Sequence, residues 1–208
     1  TVWYKLDKTS KFTGLNPNWH SALNFNGNSD YVSLNSSTDL GTTNTISVWV
    51  KNKVSQNRNL LGEDSYPIDY HILGGYSNFI IRVGGSYAVL STGSTPIIPI
   101  NTHWAHLVFT RDNDTVSLYI NGSFAATTSS WTGGSPGSTT SKFDTIGAKT
   151  GGGTYWLGEI SNLAAWSQII SAEDIKYLYN GGTPQTSISF EPTSWYKLDN
   201  TTTGIQDS

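Results

Sequence analysis

The chain contains no cysteine and no methionine. It can therefore hold no disulfide, no thiolate metal site and no cysteine nucleophile. Charge is scarce: Asp, Glu, Lys and Arg make up 13% of the 208 residues, and the net charge is −3. Twelve Lys and Arg on a weakly acidic chain are a poor electrostatic footprint for nucleic acid, so no nucleic-acid partner is expected. No apolar run approaches the roughly 20 residues of a membrane-spanning helix, and membrane insertion is not expected. No signal-peptide pattern opens the sequence, and Thr1 stands where an initiator methionine would be, which suggests processing or a segment of something longer. Walker and dinucleotide-binding motifs are missing.

What the chain has is aromatic residues and small polar ones. Eight Trp, 11 Tyr and 7 Phe supply a core. Ser, Thr, Asn and Gly supply a neutral polar surface of the sort many exported or virion proteins carry, and a plain β-protein with long loops has the same composition. The apolar pattern mostly has period two. Ala22–Phe25 and Tyr31–Leu34 read as short strands around the tight-turn sequence Asn26-Gly27-Asn28. Thr45–Lys51 reads as a central strand, with Ile46, Val48 and Val50 on one face and Trp49 on the other. Gly84-Gly85 turns Asn78–Val83 into Tyr87–Ser91. Residues 111–114 turn Trp104–Thr110 into Val116–Ile120, and Asn121-Gly122 turns the chain again into Ser123–Ala126. Thr127–Ser141 reads as a polar loop around a lone Trp131, followed by a strand at Ile146-Gly147-Ala148 and the glycine-rich loop Lys149–Gly153. Tyr155–Trp166 reads as one long strand or two broken ones. One helix is predicted, over Ser171–Tyr179: Ser171 caps it, Asp174 holds the capping-box position, and Asn180-Gly181-Gly182 ends it. The expected fold is all-β, a two-sheet antiparallel jelly-roll β-sandwich with one short C-terminal helix.

One repeat stands out. Trp3-Tyr4-Lys5-Leu6-Asp7 recurs as Trp195-Tyr196-Lys197-Leu198-Asp199, an offset close to the length of one domain. The preferred reading is one domain over residues 1–186, then a linker and the first strand of a following repeat, or an exchanged strand, over 187–208. The alternative is that both pentads belong to one domain as paired edge strands.

Several pieces now stand in a familiar order. They are Ala22–Phe25 through Asp30-Tyr31-Val32, Ile46–Val50, Trp104–Val108, Leu118–Gly122, Ile146–Ala148, Leu157–Ile160 and Ile170–Ile175. This set resembles the laminin-G-like, concanavalin A-like jelly rolls, of the kind found in bacterial surface and phage structural proteins. The resemblance covers about residues 1 to 182. Fold-mates of this type include glycoside hydrolases, which need two carboxylates facing one cleft. Glu63 and Asp64 are adjacent and would diverge on a strand, Glu159 stands alone, and Glu173 and Asp174 serve the helix start. An enzyme is not expected. Trp49 and Trp104 read as packing residues, and His106 as a residue on a polar strand face or one hydrogen-bonded to the neighbouring strand.

The resemblance also implies a rim calcium ion that organises loops or touches a glycan, and calcium needs six to eight oxygens. Candidate ligands are Asp30 with Asn26 and Asn28, Asp112 and Asp114 with Asn113 between them, and Asp64 with Asp69. An aspartate in such a turn usually bonds its own backbone. Tyr66, Tyr70, Tyr76, Trp131 and Tyr155 are the candidate sugar-stacking aromatics, with Trp131 read first as a loop anchor folded onto the sandwich. Asn35, Asn113, Asn121 and Asn200 each begin a glycosylation triplet. The expected function is a non-catalytic structural and adhesive module of a tandem-repeat protein on a virion or cell surface. Its partners would be neighbouring repeats or subunits reached through the terminal strand. The alternative is a calcium-dependent or aromatic-platform lectin module that takes polysaccharide.

Overall fold

The computed structural model describes residues 8–10, 22–53, 58–63, 70–74, 78–93 and 103–198. The strands in chain order are β1 (Lys8–Ser10), β2 (Ala22–Asn26), β3 (Val32–Gly41), β4 (Thr43–Asn52), β5 (Arg58–Glu63), β6 (Tyr70–Gly74) and β7 (Asn78–Val83). They continue with β8 (Ser86–Ser91), β9 (Ala105–Asp112), β10 (Thr115–Ile120), β11 (Ser123–Thr128), β12 (Ser141–Ile146) and β13 (Leu157–Trp166). Helix α1 (Ala172–Tyr179) and β14 (Ser194–Tyr196) complete the described chain.

All pairings among the described strands are antiparallel, and they form two sheets. The larger has the order β1-β2-β13-β4-β9-β10-β11, with β14 also on β13; the smaller has the order β3-β12-β5-β6-β7-β8. The period-two pattern explains the layering. Ile46, Val48 and Val50 of β4 and Leu107 and Phe109 of β9 face Ile72, Phe79, Ile81 and Phe143 of the smaller sheet, and all are buried. Phe79 and Phe109 meet edge to face across the layers, with centroids 5.0 Å apart, an arrangement worth about 1 kcal/mol beyond burial. The hairpins β7–β8, β9–β10 and β10–β11 turn where the sequence places them, with positive φ at Gly84, Gly85, Asn113, Asn121 and Gly122.

Two expectations are corrected. Asn26-Gly27-Asn28 does not close a hairpin, because β2 lies in the larger sheet and β3 in the smaller. The Asn26 side-chain oxygen accepts the backbone N–H groups of Asn28, Ser29 and Asp30. That wraps the chain over the sandwich edge, so Phe25 and Val32 reach one core from opposite sheets. The second correction is β12: the strand is Ser141–Ile146, and Gly147 and Ala148 lie beyond it in a bend. Polar residues dominate that strand, but Phe143 and Ile146 fill the core while Thr145 registers with Ser33 of β3 and Gly62 of β5. Between-strand position set this element, not its own apolar pattern. β13 is one strand with a bulge between Ser161 and Ala164, where Asn162 has φ 47°.

The outer face of the larger sheet is covered in turn. Val108, Ala164 and Trp166 pack beneath Ile175 and Leu178 of α1, with Trp195 of β14 beside them. Ser171 Oγ accepts the Asp174 N–H at 3.1 Å and the Asp174 carboxylate accepts the Ser171 N–H at 3.2 Å. Asn180 closes the helix in the left-handed region. Replacing Ser171 by Ala orphans an N-terminal donor and is expected to cost about 1 kcal/mol. In a domain of this size that is a melting-temperature drop of about 2–4 °C, measurable by thermal circular dichroism. No helix among the described residues is long and apolar enough to cross a membrane.

Candidate functional site

One end of the sandwich gathers four loops. The β2–β3 turn, the start of β5, the glycine-rich segment after β12 and the start of β13 meet there. Arg58, the first residue of β5, ties them together: its Nη1 donates to the Gly27 carbonyl at 2.8 Å and to the Tyr155 carbonyl at 2.6 Å. Tyr31 and Tyr155 lie side by side at this rim, both partly exposed, with centroids 6.2 Å apart and planes tilted by 40°. The Tyr155 hydroxyl rests against Gly152, whose φ of +93° and lack of a Cβ leave room for it. Asn59 holds the same loop through its N–H to the Thr154 carbonyl at 2.8 Å. A rim of this kind offers two aromatic faces beside a guanidinium, which suits stacking against the apolar face of a sugar ring.

The same turn contains Asn26, Asn28 and Asp30. Asp30 is 1% exposed. Its two carboxylate oxygens accept the backbone N–H of Asn26 at 3.0 Å and the Asn26 side-chain amide at 2.9 Å. The Asn26 oxygen is occupied by three N–H groups, as described above. The oxygens that would bind calcium are those that build the turn. Asp112 and Asp114 lie at the opposite end, because β9 pairs Ala105 with Val50 and Asp112 with Thr43 along the full length of β4. Asp112 accepts from the Asn113 amide at 3.0 Å, and both Asp114 oxygens accept from Ser135 Oγ at 2.8 and 2.7 Å. The two aspartate sets are thus separated by the sandwich and cannot share an ion. No group of three or more His, Asp or Glu side chains converges among the described residues.

Trp131 sits at that second end as an anchor. Its indole N–H donates to the Asp114 carbonyl at 2.7 Å, and its ring packs against the core. Arg111, 2% exposed, binds the neighbouring loops through the carbonyls of Asn113 and Thr139, each at 2.8 Å. Tyr66, Tyr76, Asp64 and Asp69 lie outside the described residues. Tyr70 begins β6, paired with Glu63. The structure therefore brings Tyr155 to Asn26, Asn28 and Asp30, and places Trp131 with Asp112 and Asp114.

Sequence reasoning did not single out Tyr31 or Arg58 as site residues. Tyr31 is flagged only by following the turn aspartate. An isolated arginine opening a strand carries no local signal at all.

Among the described residues, the carboxylates weighed for cleavage lie on separate elements. Glu63 is 3% exposed on β5 of the smaller sheet and accepts from Ser37 Oγ at 2.6 Å. Glu159 is on β13 of the larger sheet, and Asp174 caps α1. His106 is fully buried. Its Nε2 bonds to Ser47 Oγ on β4 at 2.8 Å, and its ring lies 5.0 Å from Trp49 and 6.2 Å from Tyr179. Burial pushes its pKa down to about 3, so the ring is neutral. It is a bonded strand residue, as its sequence position predicts. Beneath α1, a recess lined by Ser47, Trp49, Leu178 and Trp195 among others holds about 10 Å³, room for about one water and not for a sugar.

The two sheets and their edge connections form a lectin-type jelly roll. The family model for the concanavalin A-like lectin/glucanases superfamily matches residues 26–176, and the chain belongs to that superfamily. No curated protein matches the chain by sequence. Among solved structures it is similar to a native heptameric SAP-like pentraxin from Limulus polyphemus, at 16% identity and TM-score 0.61, over 85% of this chain and 91% of that one. It is also similar to domain 4 of AbnA, a GH43 extracellular arabinanase from Geobacillus stearothermophilus, in complex with arabinotriose. There the identity is 18% and the TM-score 0.61, over 82% of this chain and 80% of that one. A third is the Ruminococcus gnavus IT-sialidase CBM40 bound to α2,3-sialyllactose, at 10% identity and TM-score 0.50, over 73% of this chain and 97% of that one. At these identities the likeness is one of fold.

Proposed function

We propose that the chain is a non-catalytic adhesive module of an extracellular surface, on a virion or a cell, that holds polysaccharide at the Tyr31–Tyr155 rim. The observation that carries this reading is the tyrosine pair itself. Trp49, Trp156, Trp166 and Trp195 are buried and Trp131 is tied into a loop, whereas Tyr31 and Tyr155 stand partly open beside Arg58. The AbnA domain and the CBM40, solved with arabinotriose and sialyllactose, support a sugar as the ligand class. The module works in series with neighbouring repeats or subunits, joined through the terminal strand. The rim binds without calcium, since the oxygens of Asn26 and Asp30 already hold the turn.

A glycan array on the chain, run once with calcium and once with chelator, tests this. Binding is expected in both arms, and Tyr155→Ala is expected to weaken it at least about fivefold, the equivalent of about 1 kcal/mol. Binding lost on chelation would assign calcium to the rim loops and overturn the calcium-free reading. Silence in both arms would leave a purely structural module, the second reading. That reading is favoured by the one-water size of the recess beneath α1.

A further inference from the structure

The seat of residues 194–198 is specific to side-chain identity. β14 lies on β13 in the register Leu163↔Tyr196, Ala164↔Trp195 and Ala165↔Ser194. Trp195 packs with Ala164, Trp166 and Leu178 on the outer face. Tyr196 points the other way into the core, its ring edge-on to Phe143 at 6.3 Å and its hydroxyl 3.2 Å from Thr38 Oγ1. The β13 bulge meets the next residue: the Asn162 N–H donates to the Lys197 carbonyl at 2.9 Å. The Lys197 ammonium lies 4.9 Å over the Trp195 ring, and Leu198 is fully buried. Trp, Tyr, Lys and Leu are each used by this seat, and each recurs in the same order at residues 3 to 6.

The first pentad directly precedes a strand of the same sheet in sequence. It runs directly into β1, which pairs with β2. β2 occupies Leu157–Ile160 of β13 and β14 occupies Leu163–Ala165, while β4 pairs with both stretches as well. With β4 on one edge of β13, β2 and β14 lie in line along the other. One seat cannot hold two strands.

We propose that the slot along Leu163–Ala165 of β13 accepts either Trp-Tyr-Lys-Leu-Asp segment, and that the segment left over links copies by filling the same slot in a second copy of this chain. The left-over segment carries the same Trp, Tyr and Leu side chains that this slot accepts, and the equivalent slot of a second copy offers each of them the same contacts. The proposal deepens the modular part of the function above and is independent of the glycan reading.

Because the chain has no cysteine, introduced thiol pairs report without background. Ala165 and Ser194 are register partners, small and buried. Val2 precedes Trp3 as Ser194 precedes Trp195. The full-length chain is oxidised with glutathione disulfide in three forms: Ala165→Cys with Ser194→Cys, Ala165→Cys with Val2→Cys, and the latter with Trp195→Ala and Tyr196→Ala added. The first is expected to cross-link, which verifies the seat. The second is expected to cross-link as well, within one chain or as a disulfide-linked dimer whose share rises with protein concentration. The third should raise the cross-linked fraction at least about threefold as the competing segment is weakened. If the Val2→Cys chain never links while the Ser194→Cys chain closes, the slot belongs to the second pentad alone and the proposal is overturned. The native-background pair decides even if the alanine variant does not fold. Failure of glycan binding would leave every cross-link unchanged, so the two readings fail separately.

Discussion

Acid is expected to destabilise this sandwich through His106, and the loss should begin near neutrality. The folded-state pKa is pushed down to about 3 by burial, against roughly 6.5 for the unfolded chain. Above pH 6.5 the imidazole is neutral in both states and its contribution is fully present. Below that the unfolded chain takes up a proton that the folded chain refuses, so stability falls by about 1.4 kcal/mol per pH unit until about pH 3. The loss at pH 4.5 is then about 3 kcal/mol, and over the whole window of order 4–5 kcal/mol. Ser47, Trp49 and Tyr179 surround the ring, and no carboxylate among the contacts described compensates a cation there. Urea unfolding at pH 7.5, 5.5 and 4.5 checks this against His106→Gln, which keeps a hydrogen-bonding group near Ser47. The variant should start less stable and lose less on acidification. Parallel loss in the two proteins would falsify the assignment to His106.

Gly158→Ala is expected to be the most damaging small substitution on the larger sheet. Gly158 has φ +149°, and a Cβ there would run into the Lys51 carbonyl, 3.1 Å from its carbon and 3.2 Å from Asn52 Cα. The obstacle is backbone, not the flexible end of a side chain. Gly158 is also in register with Phe25 on one side and Asn52 on the other, so moving β13 breaks two ladders. A loss of roughly 4 kcal/mol is expected. The control is Gly41→Ala, where φ is +69° but nothing lies within 4 Å of the added carbon, and only about 1 kcal/mol should be lost. The same two variants test the site. Gly158 follows Tyr155 by three residues, so its substitution should also abolish rim binding in whatever fraction stays folded, whereas Gly41→Ala should leave binding intact. Equal losses in the two variants would show that the Lys51 carbonyl yields and that the strand is not pinned.

Much of this architecture was readable because its causes are local. Ser171 and Asp174 cap α1 as their spacing predicts, since a capping box needs only four consecutive residues. Asn121-Gly122 turns β10 into β11 because the backbone there needs two positive φ angles. His106 bonds to the strand beside it, as a polar residue alternating with Leu and Val on a central strand would. The rim was only half readable. Asp30 and Tyr155 were visible as residue types, but Arg58 joins the Gly27 and Tyr155 carbonyls over separations of 31 and 97 residues. No window of sequence contains that bond.

By itself, then, the sequence determined the all-β class, the two faces of β4, the hairpins β7–β8, β9–β10 and β10–β11, the helix with its caps, and the existence of two identical pentads. These follow from side-chain period, from the φ demands of Asn and Gly, and from short-range hydrogen bonds. Only the tertiary structure decided that β2 and β3 belong to different sheets, that the polar segment Ser141–Ile146 is a strand, that Trp131 anchors on the Asp114 carbonyl, and that Trp195 and Tyr196 are built into this sandwich. Each of those outcomes depends on which distant surface a segment meets. Burial and cross-strand pairing act through space, and residues far apart in sequence supply the other half of every such contact.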